Sequence, residues 1–265
     1  MTILDEINNR KLLETAEAKK RVSIEELTAS PLFNRKTNSL TKALGSNGAS
    51  GIIAEFKTKS PSKGMINEKA EVTQVTTGYV KAGVSGLSVL TDYPYFGGSL
   101  ENLKKARQAN PLIPILRKDF MLDPYQIYEA KAYGADLILL IAASLSKGQM
   151  EDLAGTAREL GLEVLAEIHT EKEIEKLNPM IDLIGVNNRN LKTFKVDVKT
   201  SVRLSKLLPG QRIRISESGL SSVENIQYLR SAGFQGFLMG ENFMKTDQPD
   251  RACAEFIKMI TTNNK

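Results

Sequence analysis

The sequence predicts an α/β fold in which eight parallel strands alternate with eight helices and close into a (β/α)8 barrel. From Gly51 onward, short aliphatic runs alternate strictly with amphipathic segments, and this alternation indicates βα units in a parallel sheet with right-handed crossovers. Eight such units within 265 residues match the usual size of this barrel. A doubly wound sheet is the alternative, but its GxGxxG fingerprint does not follow the first predicted strand.

Each predicted element has a local signal in the sequence. The strands are short runs rich in β-branched and aliphatic residues, and they are Ile52–Phe56, Gly86–Leu90, Ile113–Leu116, Leu137–Ile141, Glu163–Ala166, Leu183–Val186, Ile213–Ile215 and Gly236–Met239. The predicted helices are Thr73–Lys81, Leu100–Ala109, Pro124–Tyr133, Lys147–Leu160, Glu171–Leu177, Val198–Leu207, Val223–Ser231 and Asp250–Ile260. Asp123 and Pro124 suit the N-cap and the first position of the third helix. Glycines suited to C′ positions follow four helices, at Gly83, Gly134, Gly161 and Gly233.

Residues 1–265 are predicted to form one barrel domain, of which residues 1–50 are a polar and mostly helical N-terminal extension. Within the extension, Pro31-Leu32-Phe33 is a candidate apolar latch onto the barrel. Two positions are open to the extension: it could close the bottom of the barrel, or it could form a lid over the top. The sequence does not decide between them.

The composition indicates a cytoplasmic enzyme. Hydrophobic residues make up 41% of the chain and charged residues 25%, which are ordinary values for a globular protein. No apolar run approaches the roughly 20 residues of a membrane span, and the N-terminus lacks a signal-peptide core. The single cysteine, Cys253, and the single histidine, His169, exclude a disulfide framework and argue against a zinc site. No heptad pattern or exposed apolar stripe marks an interface, so we expect a monomer.

The net charge of +5 raises the question of nucleic-acid binding. The basic residues are scattered among 31 acidic ones, without an Arg-rich tract or a basic stretch interleaved with aromatics, so we expect no nucleic-acid or membrane partner. A modest positive excess suits an enzyme whose small-molecule substrate carries phosphate or carboxylate groups. Solubility alone would also explain it.

The first predicted strand carries the strongest functional signal. Glu55 and Lys57 have the same side-chain parity, so both point the same way from one pleat. Burying an acid and a base at a strand end is costly unless they pair or take part in chemistry. Ser60, Ser62 and Gly64 follow in a turn-forming segment whose hydroxyl and N–H groups suit an anion. We interpret this segment as half of an active site.

Polar residues also follow five other predicted strands, at the barrel end where active sites of this fold lie. They are Arg117, Lys118 and Asp119; Glu167; Asn187, Asn188 and Arg189; Glu217, Ser218 and Gly219; and Gly240, Glu241 and Asn242. Any one of them would ordinarily be a solvated loop residue, but several acids and bases in one barrel mouth would shift each other's pKa values. The loops at Ser218-Gly219 and Gly240-Glu241 suit a phosphate bound by backbone N–H groups. Two ordinary tight turns are the alternative.

Two further groups of residues have weaker signals. His169 lies two residues after Glu167 and could be a catalytic base, but Thr170 begins what resembles the next helix, so we expect His169 to be a local cap or loop residue. Tyr93, Tyr95 and Phe96 follow the second strand. These aromatic side chains could flank a flat substrate ring, and ordinary loop packing is the alternative for the two tyrosines.

Seven motifs follow one another in order after residue 50. They are EFKTKSPSKG, SVLTDYPYFGGS, ILRKDFMLDPYQIYEA, LAEIHT, IGVNNRNLKTF, ISESG and FLMGENFM. Together they resemble the indole-3-glycerol phosphate synthase family of tryptophan biosynthesis, whose phosphate-binding TIM barrel carries an N-terminal extension. Phosphoribosylanthranilate isomerase or another phosphate-binding barrel enzyme is the alternative, and a non-catalytic phosphate binder is a more distant one. Because the chain ends soon after the eighth predicted helix, we expect no fused isomerase barrel.

The resemblance implies a reaction and a set of residue roles. The substrate is 1-(2-carboxyphenylamino)-1-deoxyribulose 5-phosphate, and ring closure, decarboxylation and dehydration give indole-3-glycerol phosphate, carbon dioxide and water without a metal or organic cofactor. Lys118 matches the general acid, Glu167 the base or electrostatic stabiliser, and Lys57 a second lysine at the substrate carboxylate; which lysine acts in which step stays open. The remaining matches are Glu55, Asn187 and Glu217 as catalytic-group residues, Ser60, Phe96, Phe120, Arg189 and Ser218 as substrate contacts, and Ser218, Gly219, Gly240 and Glu241 as the phosphate site.

Overall fold

The computed structural model describes residues 2–262, and its centre is a closed barrel of eight parallel strands. The strands are β1 (Ile52–Phe56), β2 (Gly86–Leu90), β3 (Ile115–Lys118), β4 (Leu137–Ile141), β5 (Glu163–Ile168), β6 (Leu183–Asn187), β7 (Ile213–Glu217) and β8 (Gly236–Met239). Each strand pairs with its neighbours in sequence, and β8 closes the barrel against β1. The predicted (β/α)8 barrel is confirmed.

Four strands extend further towards their carboxyl ends than predicted. In β3, β5, β6 and β7 the ladder continues through residues that the prediction assigned to loops; Ile141 lies opposite Glu167, and Asn187 lies opposite Glu217. The predicted boundaries stopped at the last apolar residue, whereas backbone pairing continues under side chains that face a cavity. Lys118, Glu167 and Glu217 are therefore held by strand backbone, which fixes their positions better than a loop would.

Helices cover the outside of the barrel. They are Val72–Lys81, Leu100–Ala109, Pro124–Ala132, Lys147–Glu159, Lys199–Ser205, Val223–Ser231 and Pro249–Thr262. The fifth predicted helix is instead a 3-10 helix, Glu171–Lys176, because this short segment is soon interrupted by Pro179. The four predicted C′ glycines all have positive φ, from 68° to 90°. Among the helices of residues 2–262, none is long and apolar enough to span a bilayer.

Three short elements that were not predicted follow the carboxyl ends of strands. A two-stranded hairpin, Lys59–Ser60 with Gly64–Met65, follows β1. A one-turn helix, Tyr93–Phe96, follows β2, and a second, Glu241–Met244, follows β8. All three surround the top of the barrel, defined here as the end where the strands terminate.

The N-terminal extension forms the helices α1 (Ile3–Arg21), α2 (Ile24–Thr28) and α3 (Leu40–Gly45). α3 closes the bottom of the barrel, where Leu40 and Leu44 join the apolar cluster of the barrel interior. Gly86 leaves room for this helix, since a methyl group there would lie 2.7 Å from Cδ1 of Leu40. Glu163, the first residue of β5, accepts hydrogen bonds from the N–H groups of Leu40 and Thr41 at 2.8 and 3.2 Å and so caps α3.

α1 lies across the top of the barrel. Its Lys11 Nζ is 2.9 Å from Asp92 and 3.0 Å from Asp119, two carboxylates that follow β2 and β3. Burial opposes the charge on Lys11, but the two carboxylates outweigh it and raise the pKa of this lysine. Tyr95 donates a hydrogen bond of 2.9 Å to Glu6 of the same helix. The extension thus occupies both of the positions left open by the sequence.

The predicted latch also contacts the barrel. Phe33 stacks on Tyr128 with ring centroids 6.3 Å apart and packs against Leu27 of α2 and Tyr125. These contacts hold the segment between α2 and α3 against the helix Pro124–Ala132. The extension is therefore tied to the barrel at its top, side and bottom.

Candidate active site

The top of the barrel opens into a cavity of about 610 Å³. Strand ends, the hairpin after β1 and the loops after β6, β7 and β8 form its walls, and α1 contributes Ile3, Leu4 and Ile7. Every residue to which the family resemblance assigns a role lines this cavity: Glu55, Lys57, Ser60, Phe96, Lys118, Phe120, Glu167, Asn187, Arg189, Glu217, Ser218, Gly219, Gly240 and Glu241.

Glu55 and Lys57 form an ion pair at the end of β1. Nζ of Lys57 lies 2.7 Å from Oε1 of Glu55, and Glu55 is buried. The shared parity of the two residues directs both side chains towards the cavity, as the sequence predicted. Pairing offsets the cost of burying the two charges, and it leaves the ammonium group of Lys57 in the cavity wall, where an anionic group of a ligand can reach it.

Lys118 lies between two buried carboxyl groups. Its Nζ is 2.6 Å from Oε2 of Glu217 and 2.9 Å from Oε2 of Glu167. Burial disfavours the ammonium form, but Glu167, Glu217 and Glu55 outweigh this effect and raise the pKa of Lys118. Lys118 is therefore protonated at neutral pH, which is the state that a proton donor requires.

The two carboxyl groups that contact Lys118 have opposite pKa shifts. Burial raises the pKa of Glu217, and the charge of Glu167 adds to this effect against the attraction of Lys118. For Glu167, burial also opposes ionisation, but the cationic Lys118 and His169 outweigh it and lower the pKa. Two adjacent carboxyl groups cannot both ionise easily. The environment therefore favours ionisation of Glu167 over that of Glu217.

Two glycines provide the space that these acids occupy. A methyl group at Gly185 in β6 would overlap Oε1 of Glu217, and one at Gly240 would lie 2.6 Å from Oε1 of Glu55. Oε1 of Glu217 is buried and has no hydrogen-bond partner within residues 2–262. A buried oxygen without a partner is costly, so this atom is a candidate contact for a ligand.

Arg117 and Asp119 flank Lys118 in sequence but belong to another network. Nη2 of Arg117 is 2.9 Å from Glu129 and 3.0 Å from Asp119, and Asp119 also contacts Lys11 of α1. Successive side chains of a strand alternate between its two faces, which separates these residues from Lys118. Their contacts attach the extension to the barrel.

Asn187 and Asn188 likewise have different environments. Oδ1 of Asn187 accepts a hydrogen bond of 3.0 Å from the N–H of Arg189, which fixes the start of the loop after β6. Asn188 is buried, and it donates to Ser216 at 3.0 Å and accepts from the hydroxyl of Ser201 at 2.8 Å. Asn187 lines the cavity, whereas the contacts of Asn188 are structural.

The loops after β7 and β8 form one end of the cavity. Ser218 and Gly219 have φ angles of 70° and 74°, and this left-handed conformation is unfavourable for a serine, so it is found mainly at turns and functional loops. Nζ of Lys63 and Nη2 of Arg189 lie 3.7 and 3.8 Å from the carboxylate of Glu241. Two cations therefore face the loops where the sequence predicts a phosphate.

Aromatic side chains form another wall of the cavity. The rings of Phe96 and Phe120 have centroids 6.0 Å apart and planes inclined by 38°. Of the three aromatic residues after β2, Phe96 lines the cavity, Tyr95 bonds to α1 and Tyr93 is exposed. The loop-packing alternative thus describes Tyr95, and Phe96 is in a position to contact a substrate ring.

Sequence reasoning missed two parts of the site. Ile3, Leu4 and Ile7 lie on one face of α1, but nothing in the sequence shows that this face covers the barrel mouth. The imidazole of His169 is buried, and its Nε2 lies 3.3 Å from Oε1 of Glu167. Its parity with Glu167, which lies two residues earlier near the end of β5, is the signal that could have placed it there.

Comparison with known proteins gives a consistent family. The family model described as indole-3-glycerol phosphate synthase matches residues 4–256. The indole-3-glycerol phosphate synthase of Bacteroides thetaiotaomicron is 49% identical over 260 residues, which cover 97% of this chain and 98% of that protein. The corresponding protein of an Acidovorax species is 43% identical over 261 residues, covering 96% of this chain and 98% of that protein.

Solved structures with low sequence identity share the architecture. The 3-hexulose-6-phosphate synthase of Salmonella typhimurium matches with a TM-score of 0.64 at 12% identity, covering 80% of this chain and 99% of that chain. Thiamine phosphate pyrophosphorylase from Pyrococcus furiosus matches with a TM-score of 0.60 at 14% identity, covering 84% and 98%. At such identities the likeness supports the barrel fold alone.

Proposed function

The chain belongs to the indole-3-glycerol phosphate synthase family, and we propose how the residues of its cavity carry out the reaction of that family. The enzyme is a carboxy-lyase that converts 1-(2-carboxyphenylamino)-1-deoxyribulose 5-phosphate into indole-3-glycerol phosphate, carbon dioxide and water. Lys118 is the general acid of ring closure. The observation that carries this proposal is the position of its Nζ, 2.6 and 2.9 Å from two buried carboxyl groups in one cavity.

The substrate binds with its phosphate group at the loops after β7 and β8. The backbone N–H groups of this site belong to Ser218, Gly219, Gly240 and Glu241. The aromatic ring of the substrate lies beside Phe96 and Phe120, with Ile3, Leu4 and Ile7 of α1 excluding water from the same side of the cavity. The substrate carboxylate points towards Lys57. This orientation places the ketone group between the two ends of the cavity, near Lys118.

Ring closure joins the ring carbon that carries the carboxylate to the ketone carbon. Lys118 donates a proton to the ketone oxygen as the new carbon–carbon bond forms, so the ketone becomes a hydroxyl group. The amine nitrogen attached to the aromatic ring takes on iminium character, and the anionic Glu167 stabilises this positive charge. A protonated lysine and an ionised glutamate are the states that the pKa shifts of these residues favour.

The next two steps restore aromaticity. The bond to the carboxylate breaks and carbon dioxide leaves; the hydroxyl group then departs as water while a proton is removed from the neighbouring carbon. Lys57 is the acid and Glu167 the base of this dehydration. Proton loss from Lys118 in ring closure removes one of the two cations that lower the pKa of Glu167. Glu167 thus becomes a stronger base after the first step than before it.

The remaining predicted residues position the substrate. The protonated Glu217 donates a hydrogen bond to a sugar hydroxyl, and Arg189 and Asn187 contact the anthranilate part. Oγ of Ser60 is buried and has no partner within the described part of the chain, so a substrate oxygen can complete its hydrogen bonding. Glu55 holds the ammonium group of Lys57 in place through their ion pair.

Fluorescence detection of indole-3-glycerol phosphate tests the proposal. Purified protein is mixed with the substrate in the presence of EDTA, and product is expected without any added metal or cofactor. The Lys118→Met variant should lose at least the roughly 100-fold that general acid catalysis supplies, while substrate binding stays measurable. Lys105→Met, at an exposed helix position, is the matched control. Wild-type turnover in Lys118→Met would remove Lys118 from the mechanism.

We further propose that the enzyme acts as a monomer in the cytoplasm. The proposed site is built from one chain, since all of its predicted residues line one cavity. Its one cysteine, Cys253, is buried and free. Size-exclusion chromatography with light scattering should give the mass of one 29.2 kDa chain, and cell fractionation should place the activity in the cytoplasmic fraction. A dimer mass, or activity with the membranes, would contradict these proposals.

A further inference from the structure

His169 lies behind the cavity rather than in its wall. It follows the last residue of β5, and its side chain is 7% exposed. Nε2 lies 3.3 Å from Oε1 of Glu167 on one side, and Nδ1 lies 3.7 Å from Oε2 of Glu173 on the other. The imidazole thus stands between a proposed catalytic carboxylate and a carboxylate of the 3-10 helix.

The contacts of the imidazole are incomplete. Both ring nitrogens are buried, and neither has a partner at hydrogen-bonding geometry within residues 2–262. A buried N–H group without a partner costs free energy, so the ring is expected to gain one at some stage of the reaction. Glu167 is the nearer candidate, and its Oε1 is the oxygen that does not contact Lys118.

The charges around His169 favour its cationic form. Glu167 faces it from β5, Glu173 from the 3-10 helix and Glu217 from β7, while Lys118 lies on the far side of Glu167. Burial opposes the imidazolium, but the nearby carboxyl groups, led by Glu173 and Glu167, outweigh this effect and raise the pKa of His169. The imidazole therefore lies against Glu167 on the side opposite Lys118.

We propose that His169 is a positioning residue for Glu167, which it holds through Nε2 when Lys118 has given up its proton. This inference rests on the proposed function, in which Lys118 is neutral after ring closure. At that stage Glu167 loses its charge-assisted hydrogen bond to the ammonium group. The imidazolium then becomes its main cationic partner and keeps the carboxylate aimed at the intermediate. Glu173 supports the ring from the other side.

Two conservative variants separate this role from a local structural one. In His169→Gln the amide nitrogen reaches about the position of Nε2 and faces Glu167. In His169→Asn it reaches about the position of Nδ1 and faces Glu173. We expect kcat to fall by between about 10-fold and about 100-fold in His169→Asn, with KM nearly unchanged, and His169→Gln to recover most of the loss. Equal turnover in the two variants, or a faster Asn variant, would overturn the inference.

The pH profile gives a readout that a structural role would not change. Loss of the imidazolium removes a positive charge beside Glu167, so the pKa of this carboxyl group rises. The acidic limb of the kcat profile should therefore move to higher pH in both variants. If His169→Asn fails to fold, as judged by thermal unfolding, the kcat–pH profile of His169→Gln still tests the inference. An acidic limb at the same pH as in the wild type would contradict it.

A double-mutant cycle with Glu167→Gln separates the two proposals. If His169 acts through Glu167, His169→Asn should have little further effect on kcat when Glu167 is already Gln. The same fold-loss in both backgrounds would overturn the positioning role and leave the role of Glu167 intact. Wild-type turnover in Glu167→Gln alone would overturn the role of Glu167 and, with it, that of His169. Glu175→Gln, an exposed change on the same 3-10 helix, is the control.

Discussion

The barrel buries carboxyl groups at both ends, and Asp136 at the bottom and Glu217 at the top differ in how completely their oxygens are paired. At the bottom, Oδ1 of Asp136 accepts from Arg35 and from the N–H of Asn38, each at 2.8 Å. Its Oδ2 accepts from the N–H of Ile115 at 2.8 Å and contacts Arg107. Both oxygens of this fully buried carboxylate therefore have two partners.

At the top, the buried atoms in and behind the cavity wall are less completely paired than the two oxygens of Asp136. Oε1 of Glu217, Oγ of Ser60 and both ring nitrogens of His169 have no partner at hydrogen-bonding geometry within residues 2–262. The pKa of Glu217 is raised by burial and by Glu167. The comparison teaches that a buried carboxylate with both oxygens paired supports the fold, whereas a carboxyl group with an open oxygen in a cavity wall can bind a ligand.

The largest effect is expected at the bottom, and on stability. Asp136→Ala leaves Arg107 buried without its carboxylate, and burial already lowers the pKa of this guanidinium to about 10. The free energy of unfolding should fall by about 3–5 kcal/mol, as for other broken buried ion pairs. Denaturant titration measures this loss, with exposed Asp152→Ala as the control. The kcat of the folded fraction should not change. A lower kcat at unchanged stability would contradict the view that Asp136 contributes to stability and not to turnover.

The next largest effect is expected at the top, and on turnover. Glu167→Gln removes the anion that contacts Lys118 at 2.9 Å, so kcat should fall by about 100-fold, the usual contribution of an acid–base group. KM should change much less, and because Lys118 keeps its contact with Glu217, the unfolding midpoint should fall less than in Asp136→Ala. Exposed Glu171→Gln, in the segment that follows β5, is the control. A raised KM with unchanged kcat would make Glu167 a binding residue.

The sequence predicts the barrel and the rim of the site for the same physical reason. Parallel strands joined by right-handed crossovers bring all their carboxyl ends to one end of the barrel. Polar residues directly after each apolar run, such as Lys118 and Glu217, must therefore meet there. In the structure the ladder between β6 and β7 reaches this end, where Asn187 lies opposite Glu217.

The positions of α1 and His169 could not be predicted in the same way. Lys11 pairs with Asp92 and Asp119 across a large separation in sequence, and an amphipathic helix carries no mark of which barrel end it covers. The environment of His169 depends on how side chains pack beyond the strand end. The local hydrophobic pattern of the sequence indicates the periodicity of the backbone, whereas these contacts depend on tertiary packing.

A smaller effect tests how tightly the neighbouring backbone packs around the side chain of Glu217. Gly185→Ala places a methyl group against Oε1 of Glu217 and 3.3 Å from Cδ1 of Leu165, so the acid must move away from its contact with Lys118. We expect kcat to fall by about 10-fold, the effect of one weakened hydrogen bond to a charged group. In Gly155→Ala, the control, the nearest atom lies 3.9 Å away. Unchanged kcat in Gly185→Ala would show that the side chain of Glu217 can shift without weakening its contact with Lys118.

The smallest effect concerns the pH dependence of stability. The pKa of Glu217 is raised in the folded protein above its ordinary value of 4.5. Such a group contributes stability that is complete below its unfolded-state pKa and is lost as pH rises through the folded-state pKa. Glu217→Gln mimics the protonated acid at every pH. Its thermal midpoint relative to the wild type should therefore increase with pH, while its turnover is reduced.

A parallel pH series of the wild type and of Glu217→Gln decides whether the incomplete pairing at the top has a stability cost. If the midpoint of the Gln variant rises relative to the wild type as the pH increases above 4.5, the ordinary pKa of the group, ionisation of Glu217 opposes folding. The reactive end of the barrel then reduces stability, in contrast to the bottom, where removing Asp136 is expected to destabilise the protein. A difference that does not vary with pH would mean that Glu217 ionises equally in both states. The opposite pKa shifts of the two acids at Lys118 would then be wrong, and so would the assignment of Glu217 as the protonated partner.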